Sequence, residues 1–439
     1  MAISVFDFVK EIKDGRIDVI EHTHKVLEEC RKINKEYHYF NNISEELALE
    51  LAKEVKKNPS GRLAGVPVSI KDAICVKGVE STAGSRILEG YRPVFDATVV
   101  EKLKKEGAII IGKTSQDEFG FGGFNINVGL GFKIPLNPFD KERTTGGSSG
   151  GCAGITQKLS FANIGIGEST GGSIVAPAGF CGVAGLCPTY GRVSRYGLID
   201  YANSLDKIGT MAKNIKDAAL ALEIISGFDK NESTTSDKDV ENYSDFAGRQ
   251  IKGLKVGVIK EAFGEGIDKN VEKHVWHSIS KLEEAGAKHE EVSLSLPIKY
   301  GIATYYLIAT SEASTNLAKY CGMRYGKEGK LEGSFNEYFS KIRSENFGDE
   351  AKRRIIIGTF ARMAGYRNAY YIKAIKVRQK MIEEYKRAFK KFDVLLSPTS
   401  PIIAPKIKDV EKLTPLQNYM LDILTVGPNI CGLPHLSVN

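Results

Sequence analysis

Two short glycine- and serine-rich segments constrain this chain more than any other feature of its sequence. They read GGSSGG at 146–151 and GGS at 171–173. Glycine lets the backbone fold tightly, so turns of this kind can hold a serine hydroxyl close to backbone N–H groups. A serine needs a base before it attacks a carbonyl carbon, and all seven histidines lie outside both segments. Lys71, which follows the apolar run at 66–70, is therefore the candidate base.

Length and composition fit a chain with a sizeable core and no membrane span. The 439 residues suffice for one large domain or two ordinary ones, and 42% of them are hydrophobic. The longest apolar runs fall well short of the roughly 20 residues that cross a bilayer. The first ten residues include Asp7 and Lys10 and make a poor signal peptide. We therefore expect a cytoplasmic protein that has no contact with a membrane.

Cysteine usage and net charge give weaker signals. The seven cysteines are an odd number without CxxC spacing, which predicts buried free thiols in a reducing cytoplasm and neither disulfides nor a metal site. The net charge of +7 could attract tRNA, but a lysine-rich solvated surface is the simpler interpretation. No run of basic residues interleaved with aromatic ones marks a nucleic-acid groove.

Apolar periodicity predicts alternating helices and strands, which is typical of a layered α/β domain. Helices are expected at 16–33, 44–57, 97–106, 270–286 and 366–391. Buried strands are expected at 66–70, 108–111, 255–259 and 394–396. The polar stretch 230–250 is interpreted as a surface linker, and the Gly/Ser-rich section 144–174 joins further core elements.

Two other motifs compete for a functional interpretation. Residues 107–114 match the phosphate-binding pattern GxxxxGK[ST]. That pattern needs a flexible loop where the apolar residues 108–111 predict a buried strand, so the match is interpreted as accidental. Residues 167–171 match the GxSxG turn of α/β-hydrolases, with His435 downstream. This second interpretation leaves GGSSGG and Lys71 unexplained and stays a minor alternative.

Three motifs in this order resemble the amidase signature family. Its pattern is a lysine after a short apolar strand, then GGSSGG, then GSDTGGS. Here the lysine is Lys71, the second motif is 146–151, and the third reads GESTGGS at 167–173. The resemblance covers nearly the whole chain and implies a layered α/β/α fold with a mixed central sheet. A helical segment at 1–60 would pack on an amidase core at 61–439 that lacks the usual C-terminal elements.

The resemblance also implies a Ser–Ser–Lys triad. Ser173 would be the nucleophile, and Ser148 would accept its proton and pass it to Lys71. Lys71 must be neutral for this step, whereas a free lysine titrates near 10.4. Burial would favour the neutral form. Backbone N–H groups on the third motif would line an oxyanion hole, namely those of Thr170, Gly171, Gly172 and Ser173.

Within the family, the chain resembles the glutamine-hydrolysing subunits of tRNA-dependent amidotransferases. The segments that carry this narrower resemblance lie at 191–198, 311–314, 324–326, 347–350 and 353–354. In those subunits an arginine binds the glutamine carboxylate and an aspartate binds its amino group. These roles fall on Arg354 and Asp422, with Tyr305 nearby and Arg353 as a rival arginine. A solvated helix position for Arg354 and simple packing for Tyr305 are the alternatives.

This narrower resemblance implies glutamine hydrolysis that supplies ammonia for converting Glu-tRNA(Gln) to Gln-tRNA(Gln). The ammonia would pass to partner subunits, B and C, which act on the tRNA with ATP and Mg²⁺. The chain itself would hold no cofactor and no metal. A stand-alone amidase for another amide and a catalytically silent scaffold are the alternatives. The intact triad argues against the scaffold, and the Arg354 and Asp422 matches argue against the stand-alone amidase.

Several positions depart from the family pattern. The family motif GSDTGGSIR has an aspartate and an arginine that are Ser169 and Val175 here. The lysine of the family's LKPTYG segment is Cys187. Loss of both members of an ion pair together can be nearly neutral, so the first two departures are compatible with an intact site.

Overall fold

Seven strands form a mixed central sheet and three form a smaller one in the computed structural model, which describes residues 4–438. The central sheet has the order β1-β3-β2-β4-β6-β5-β10, and the small sheet has the order β8-β7-β9. The strands are β1 Phe40–Ile43, β2 Pro67–Lys71, β3 Ile109–Thr114, β4 Ile164–Ser169, β5 Ala184–Cys187, β6 Lys207–Ala212, β7 Lys255–Ile259, β8 Lys288–Val292, β9 Val394–Leu396 and β10 His435–Ser437.

Helices precede, separate and follow these strands along the chain. They are α1 Val5–Lys13, α2 Val19–Tyr37, α3 Glu45–Lys57, α4 Thr98–Lys105, α5 Gly150–Lys158, α6 Val175–Cys181, α7 Ile215–Ile225, α8 Lys269–Glu284, α9 Ser295–Asn316, α10 Phe335–Asn346, α11 Asp349–Arg362, α12 Lys373–Ala388, α13 Ile407–Val410, α14 Pro415–Tyr419 and α15 Val426–Ile430.

The middle of the central sheet is parallel. Strand β2 pairs in parallel with β3 on one side and with β4 on the other, whereas the remaining pairings of this sheet are antiparallel. The carboxyl ends of neighbouring parallel strands meet at the same edge of a sheet. The residues that follow β2, β3 and β4 are therefore brought to one place.

Helices cover both faces of the central sheet. Neighbouring residues on a strand point to opposite faces. On β6, the Thr210 hydroxyl donates to the Ala218 carbonyl oxygen of α7 at 2.7 Å, while Met211 packs with Cys152 of α5. The helices α5 and α7 therefore lie on opposite sides of the sheet, which confirms the predicted layered α/β fold.

The first three helices pack on this sandwich through their apolar faces. Helix α1 begins after Ser4, whose hydroxyl accepts a hydrogen bond from the Asp7 N–H at 3.1 Å. Helix α2 begins after Asp18, whose carboxylate accepts from two N–H groups of the first turn. Their buried side chains join the core of the central sheet, among them Val5, Phe8, Val26, Leu27, Leu51 and Val55.

Most predicted elements are present with ends shifted by a few residues. The strand at 255–259 has the predicted bounds, and the strand expected at 108–111 extends to Thr114. The helix expected at 366–391 starts with a π-helical turn at Asn368–Ile372 and continues as α12. The seven cysteines are free, and five of them are buried. Within residues 4–438, no helix has the length and apolar character needed to cross a membrane.

Candidate active site

Neighbouring strands bring the three sequence motifs to one edge of the central sheet. Lys71 is the last residue of β2, and Ser169 is the last residue of β4, so the loop 170–173 starts where β4 ends. The loop 144–149 leads into α5, which packs on β2 and β4. The first and third motifs meet because β2 and β4 are adjacent and parallel, and the packing of α5 on both strands brings the second motif beside them.

Lys71 is fully buried, and its Nζ atom has three oxygen acceptors. They are Ser148 Oγ at 2.7 Å, the Glu168 carbonyl oxygen at 2.9 Å and Glu168 Oε2 at 2.9 Å. The side chains of Lys71 and Glu168 are 0% and 4% exposed. The burial agrees with the sequence-based expectation. A carboxylate in contact, however, favours the ammonium form of lysine over the neutral amine that the triad chemistry requires.

The turn before α5 holds Ser148 against Lys71. The peptide bond between Gly147 and Ser148 is cis. A Cβ atom on Gly147 would overlap the Asp117 carboxylate, so only glycine fits at this position. Asp117 is itself fully buried, and burial raises the pKa of its carboxyl group to about 6. Among the described residues, Ser148 Oγ has no hydrogen-bond partner except Lys71, so its own proton is not committed to another protein acceptor.

The loop after β4 carries Ser173 and the candidate oxyanion hole. Ser173 is 7% exposed, and within residues 4–438 its hydroxyl has no hydrogen-bond partner. The backbone N–H groups of Thr170, Gly171 and Gly172 also donate to no acceptor in that range. The Asn429 side chain anchors the loop by donating to the Thr170 carbonyl oxygen. Unpaired N–H groups beside an unpaired serine hydroxyl have the composition that an oxyanion hole needs.

The two candidate arginines are adjacent residues of α11 and differ in burial. The Arg354 side chain is 2% exposed, whereas that of Arg353 is 41% exposed. Arg354 Nε donates to Glu350 Oε1 at 2.8 Å, and Nη1 donates to the Tyr201 hydroxyl at 2.5 Å. The guanidinium lies 5.0–5.5 Å from four ring centroids, those of Phe121, Tyr201, Tyr306 and Tyr419. The solvated-helix alternative for Arg354 is therefore wrong, and it applies to Arg353 instead.

Asp422 reaches the serine loop from the C-terminal part of the chain. Its Oδ1 atom lies 3.2 Å from the position that a Cβ atom on Gly172 would take. Its Oδ2 atom accepts a hydrogen bond from the Tyr306 hydroxyl at 3.1 Å, and the Tyr306 ring lies 5.1 Å from the Arg354 guanidinium. Burial raises the pKa of Asp422 to about 6, against the lowering effects of the Tyr306 hydrogen bond and of Arg354.

Tyr305 packs on the same loop from α9. Its hydroxyl oxygen lies 3.3 Å from the position that a Cβ atom on Gly171 would take. Its ring contacts that of Tyr306 edge-on, with centroids 4.8 Å apart. Tyr305 is 4% exposed. The glycine at 171 therefore makes room for this ring, and a contact between Tyr305 and substrate stays a prediction.

Glu168 is a site residue that the sequence interpretation missed. Its Oε2 atom accepts from Lys71, and its Oε1 atom accepts from the Thr170 hydroxyl at 2.9 Å. The signal lies in the third motif, because the second residue is serine in the family pattern GSDTGGS and glutamate in GESTGGS. A charged residue in an otherwise uncharged, glycine-rich motif could have been recognised as a partner for the nearby lysine.

The phosphate-binding pattern at 107–114 has a structural role. Its residues form β3 instead of a loop, and Lys113 is buried in an ion pair with Asp72 at 3.3 Å. The interpretation of this match as accidental is therefore confirmed. None of the described residues form a group of three or more His, Cys, Asp or Glu side chains that could hold a metal ion.

The GxSxG match at 167–171 follows a strand, as the hydrolase pattern requires, because β4 runs directly into the turn. Ser169 is nevertheless fully buried, and its hydroxyl donates to the Gly171 carbonyl oxygen at 2.9 Å. Val175, the other departure in this motif, is buried at the start of α6. Both positions are thus filled by neutral side chains with satisfied surroundings.

Comparison with known proteins agrees with this geometry. The family described as Amidase matches residues 21–439. The A subunit of the glutamyl-tRNA(Gln) amidotransferase from Koribacter versatilis is 51% identical over 379 residues, which are 86% of this chain and 78% of that protein. The corresponding protein from Carboxydothermus hydrogenoformans is 45% identical over 442 residues, which are 99% of this chain and 90% of that protein.

A solved structure gives the same answer for the fold. The crystal structure of the corresponding protein from Thermotoga maritima is 36% identical and superposes with a TM-score of 0.80, covering 99% of this chain and 87% of that one. The matches thus extend over nearly the whole chain at a level where sequence and fold agree. The chain belongs to the amidase family, among the A subunits of glutamyl-tRNA(Gln) amidotransferases.

Proposed function

We propose that this chain hydrolyses glutamine with Ser173 as the nucleophile, Ser148 as the proton relay and Lys71 as the base. The observation that carries the proposal is the 2.7 Å hydrogen bond between Lys71 Nζ and Ser148 Oγ, buried at the edge of the sheet where the Ser173 loop begins. A serine acts as a nucleophile only when a neighbouring group takes its proton. Here the second serine and the lysine supply that route.

The reaction would proceed through an acyl-enzyme. Ser173 Oγ attacks the side-chain amide carbon of glutamine as its proton moves through Ser148 to Lys71. The N–H groups of Thr170, Gly171 and Gly172 stabilise the oxyanion, and each such donor is worth roughly 3–4 kcal/mol in measured cases. The proton then returns to the departing nitrogen, which leaves as ammonia. Water attacks the acyl-enzyme by the same proton route and releases glutamate.

Two charged side chains would recognise the free amino acid. Arg354 Nη2 has no acceptor among the described residues, while Nε and Nη1 are held by Glu350 and Tyr201. The guanidinium is therefore fixed with one nitrogen available for the glutamine carboxylate. Asp422, beside the serine loop, would bind the glutamine amino group. Tyr305 would contact the substrate between these charges and Ser173.

The relatives' name indicates the wider reaction. We propose that the ammonia passes to subunits B and C of an amidotransferase, which use ATP and Mg²⁺ to convert Glu-tRNA(Gln) to Gln-tRNA(Gln) in the cytoplasm. This chain would contact tRNA only through the complex and would bind neither ATP nor metal itself. The net charge of +7 is compatible with a tRNA-bound assembly.

A glutaminase assay on the full chain, with and without subunits B and C, tests the proposal. We expect ammonia release from glutamine that rises when the partners and Glu-tRNA(Gln) are present. Hydrolysis of simple amides with no reaction on glutamine would favour a stand-alone amidase. A complex that forms but releases no ammonia in any combination would favour the silent scaffold.

A further inference from the structure

The buried network around Lys71 extends beyond the two serines. The Glu168 carboxylate contacts Lys71 through Oε2 and the Thr170 hydroxyl through Oε1. The same hydroxyl lies 2.7 Å from Asp206 Oδ1, and Asp206 Oδ2 accepts from the N–H groups of Tyr201 and Ala202, each at 2.9 Å. Lysine, threonine and two carboxyl groups thus form one chain of contacts behind the serines.

The protons in this chain can be assigned from its geometry. The Thr170 hydroxyl has a single proton and contacts two carboxyl oxygens, so one of the carboxyl groups must itself donate a proton. Asp206 is that group, because burial, followed by the charge of Glu168, raises its pKa well above the ordinary range for aspartate. Glu168 then accepts the Thr170 proton at Oε1, and its Oε2 atom faces Lys71 Nζ across 2.9 Å.

We propose that Glu168 is a positioning residue of the reaction that works through Lys71: its carboxylate stabilises the ammonium form of the base and so sets the pH range in which Lys71 can accept the proton of Ser148. The inference rests on the proposed function only in taking Ser173 as the nucleophile. It does not depend on glutamine being the substrate.

The proton transfers start from a site in which Lys71 is an amine and Glu168 is a carboxylate. The Ser173 proton moves to Ser148 Oγ as the Ser148 proton moves to Lys71 Nζ, and Ser173 Oγ bonds to the carbonyl carbon. An ammonium forms beside Glu168 Oε2 while negative charge forms on the oxyanion. When the C–N bond breaks, the ammonium returns the proton through Ser148 to the departing nitrogen.

This role has two opposing effects on the rate. The carboxylate makes Lys71 a stronger base, which speeds proton transfer once the amine is free. It also keeps the lysine protonated at lower pH, because an opposite charge in contact favours the charged form. A residue that only held the fold together would change the rate equally at every pH.

Other ionisable groups face Lys71 and have to be separated from Glu168. Asp117, after β3, and Cys152, on α5, both sense the lysine charge; burial raises the pKa of Asp117 to about 6 and that of Cys152 to about 12. Asp206 lies behind Thr170. All three remain in a Glu168 variant, so a displaced limb in the pH profile reports Glu168 itself.

The experiment follows sulfonylation of Ser173 by a sulfonyl fluoride in the full chain across neutral and alkaline pH; Ser173 Oγ bonds to sulfur, fluoride leaves, and the serine proton passes through Ser148 to Lys71. We expect Glu168→Gln to move the acid limb of the sulfonylation rate to lower pH by about one to three pH units, the range typical of removing a charged partner. We also expect a lower rate on the alkaline plateau, so that the two profiles cross. Glu168→Ser carries the residue of the family pattern and provides the same measurement if Glu168→Gln does not fold.

Asp72→Asn is the matched control, because Asp72 contacts Lys113 as Glu168 contacts Lys71. Its acid limb should stay in place. A limb that does not move, a uniform loss at all pH values, or no sulfonylation in a folded Glu168 variant would overturn the inference. Sulfonylation that follows the expected pH dependence, in a chain that releases no ammonia from glutamine, would overturn the proposed function and leave this inference standing.

Discussion

Two buried lysines, Lys71 on β2 and Lys113 on β3, have equivalent partners and different surroundings. Each Nζ donates to a serine hydroxyl, to a carboxylate and to the backbone carbonyl oxygen of the residue that carries the carboxylate. The partners are Ser148 and Glu168 for Lys71, and Ser81 and Asp72 for Lys113. Because Lys113 pairs with Ile70 in the sheet register, the two lysines point to opposite faces.

The side chains bonded to Lys113 have other hydrogen-bond partners in addition to the lysine. The Ser81 hydroxyl donates to the Val79 carbonyl oxygen at 3.2 Å, so its proton is already bonded. The Asp72 carboxylate accepts from the Thr82 N–H and hydroxyl, the Gly84 N–H and the Asn41 side chain. Burial lowers the pKa of Lys113, against the raising effect of Asp72. This pair has no group left to exchange a proton with a substrate.

The side chains bonded to Lys71 make fewer hydrogen bonds of their own than those bonded to Lys113. In the described part of the chain, the Ser148 hydroxyl accepts from Lys71 and donates to no other residue, and the Glu168 carboxylate accepts hydrogen bonds only from Lys71 and Thr170. The two lysines therefore have the same kinds of partner, and the proposed mechanism assigns a catalytic role to Lys71 alone. The distinguishing feature is a serine whose proton is uncommitted and which lies beside the Ser173 loop.

Removing the serines should give the largest difference in activity between the surroundings of the two lysines. We expect Ser173→Ala and Ser148→Ala each to lower kcat by about 10⁴- to 10⁶-fold, because members of such a triad act as a unit. Ser81→Ala removes the equivalent serine beside Lys113 and should leave glutaminase activity within a few-fold of the wild type. Ammonia release and circular dichroism are the measurements. Activity that survives in Ser173→Ala and is lost in Ser169→Ala would instead support the GxSxG interpretation.

Replacing the two lysines separates chemistry from stability. Lys71→Arg should lose most activity, because arginine stays protonated and cannot accept the serine proton; Lys71→Ala should do the same. Lys113→Met leaves Asp72 buried without its cation and should lower the free energy of unfolding by about 3–5 kcal/mol. Urea unfolding and single-turnover kinetics distinguish these outcomes. Full activity in Lys71→Arg would be incompatible with the proton relay.

Replacing each of the two adjacent arginines tests whether the candidate site binds free glutamine. Loss of one partner of a charge-assisted contact is worth roughly 1.5–3 kcal/mol, so Arg354→Ala should raise the KM for glutamine by about 10- to 150-fold. The effect on an amide without an α-carboxylate should be smaller. Arg353→Ala, at the exposed neighbouring position, should change neither. Equal losses on both substrates, in a folded variant, would make Arg354 structural.

The smallest expected effect is a pH dependence of substrate binding. Burial raises the pKa of Asp422 to about 6, so its carboxylate is lost as the pH falls through that value. The KM for glutamine should then rise about twofold at pH 6 and about tenfold at pH 5, as for a single titrating group. Asp422→Asn should have a high KM that no longer depends on pH, although Asp117 still titrates in the same range. An unchanged slope in Asp422→Asn would assign the dependence to another group.

Local sequence patterns predicted several of the elements, and they singled out Lys71, Ser148 and Ser173 as the candidate triad. Strand β7 has the predicted bounds, and the apolar run before Lys71 is the central parallel strand. Such patterns record burial and backbone geometry within a few residues. The strand β4, which ends at Ser169, is not among the predicted strands, because Gly165 and Gly167 weaken the strand pattern.

Contacts between distant segments could not be obtained in this way. The sequence left Arg353 and Arg354 as rivals, and only the packing of α11 buries Arg354 among aromatic rings. The sequence also did not show that Asp422 lies beside Gly172, as it does in the fold. Which face of a helix is buried, and against what, depends on the other elements around it.

The sequence by itself determined which lysine and which two serines in glycine-rich turns are the candidates for the chemistry, since glycine positions and apolar runs specify local backbone form. The tertiary structure decided the charge environment of that centre. It placed the Glu168 carboxylate 2.9 Å from Lys71 and a matching carboxylate beside Lys113 on the opposite face. Electrostatic interactions depend on distance and burial, and both are fixed only when β2, β3 and β4 pair.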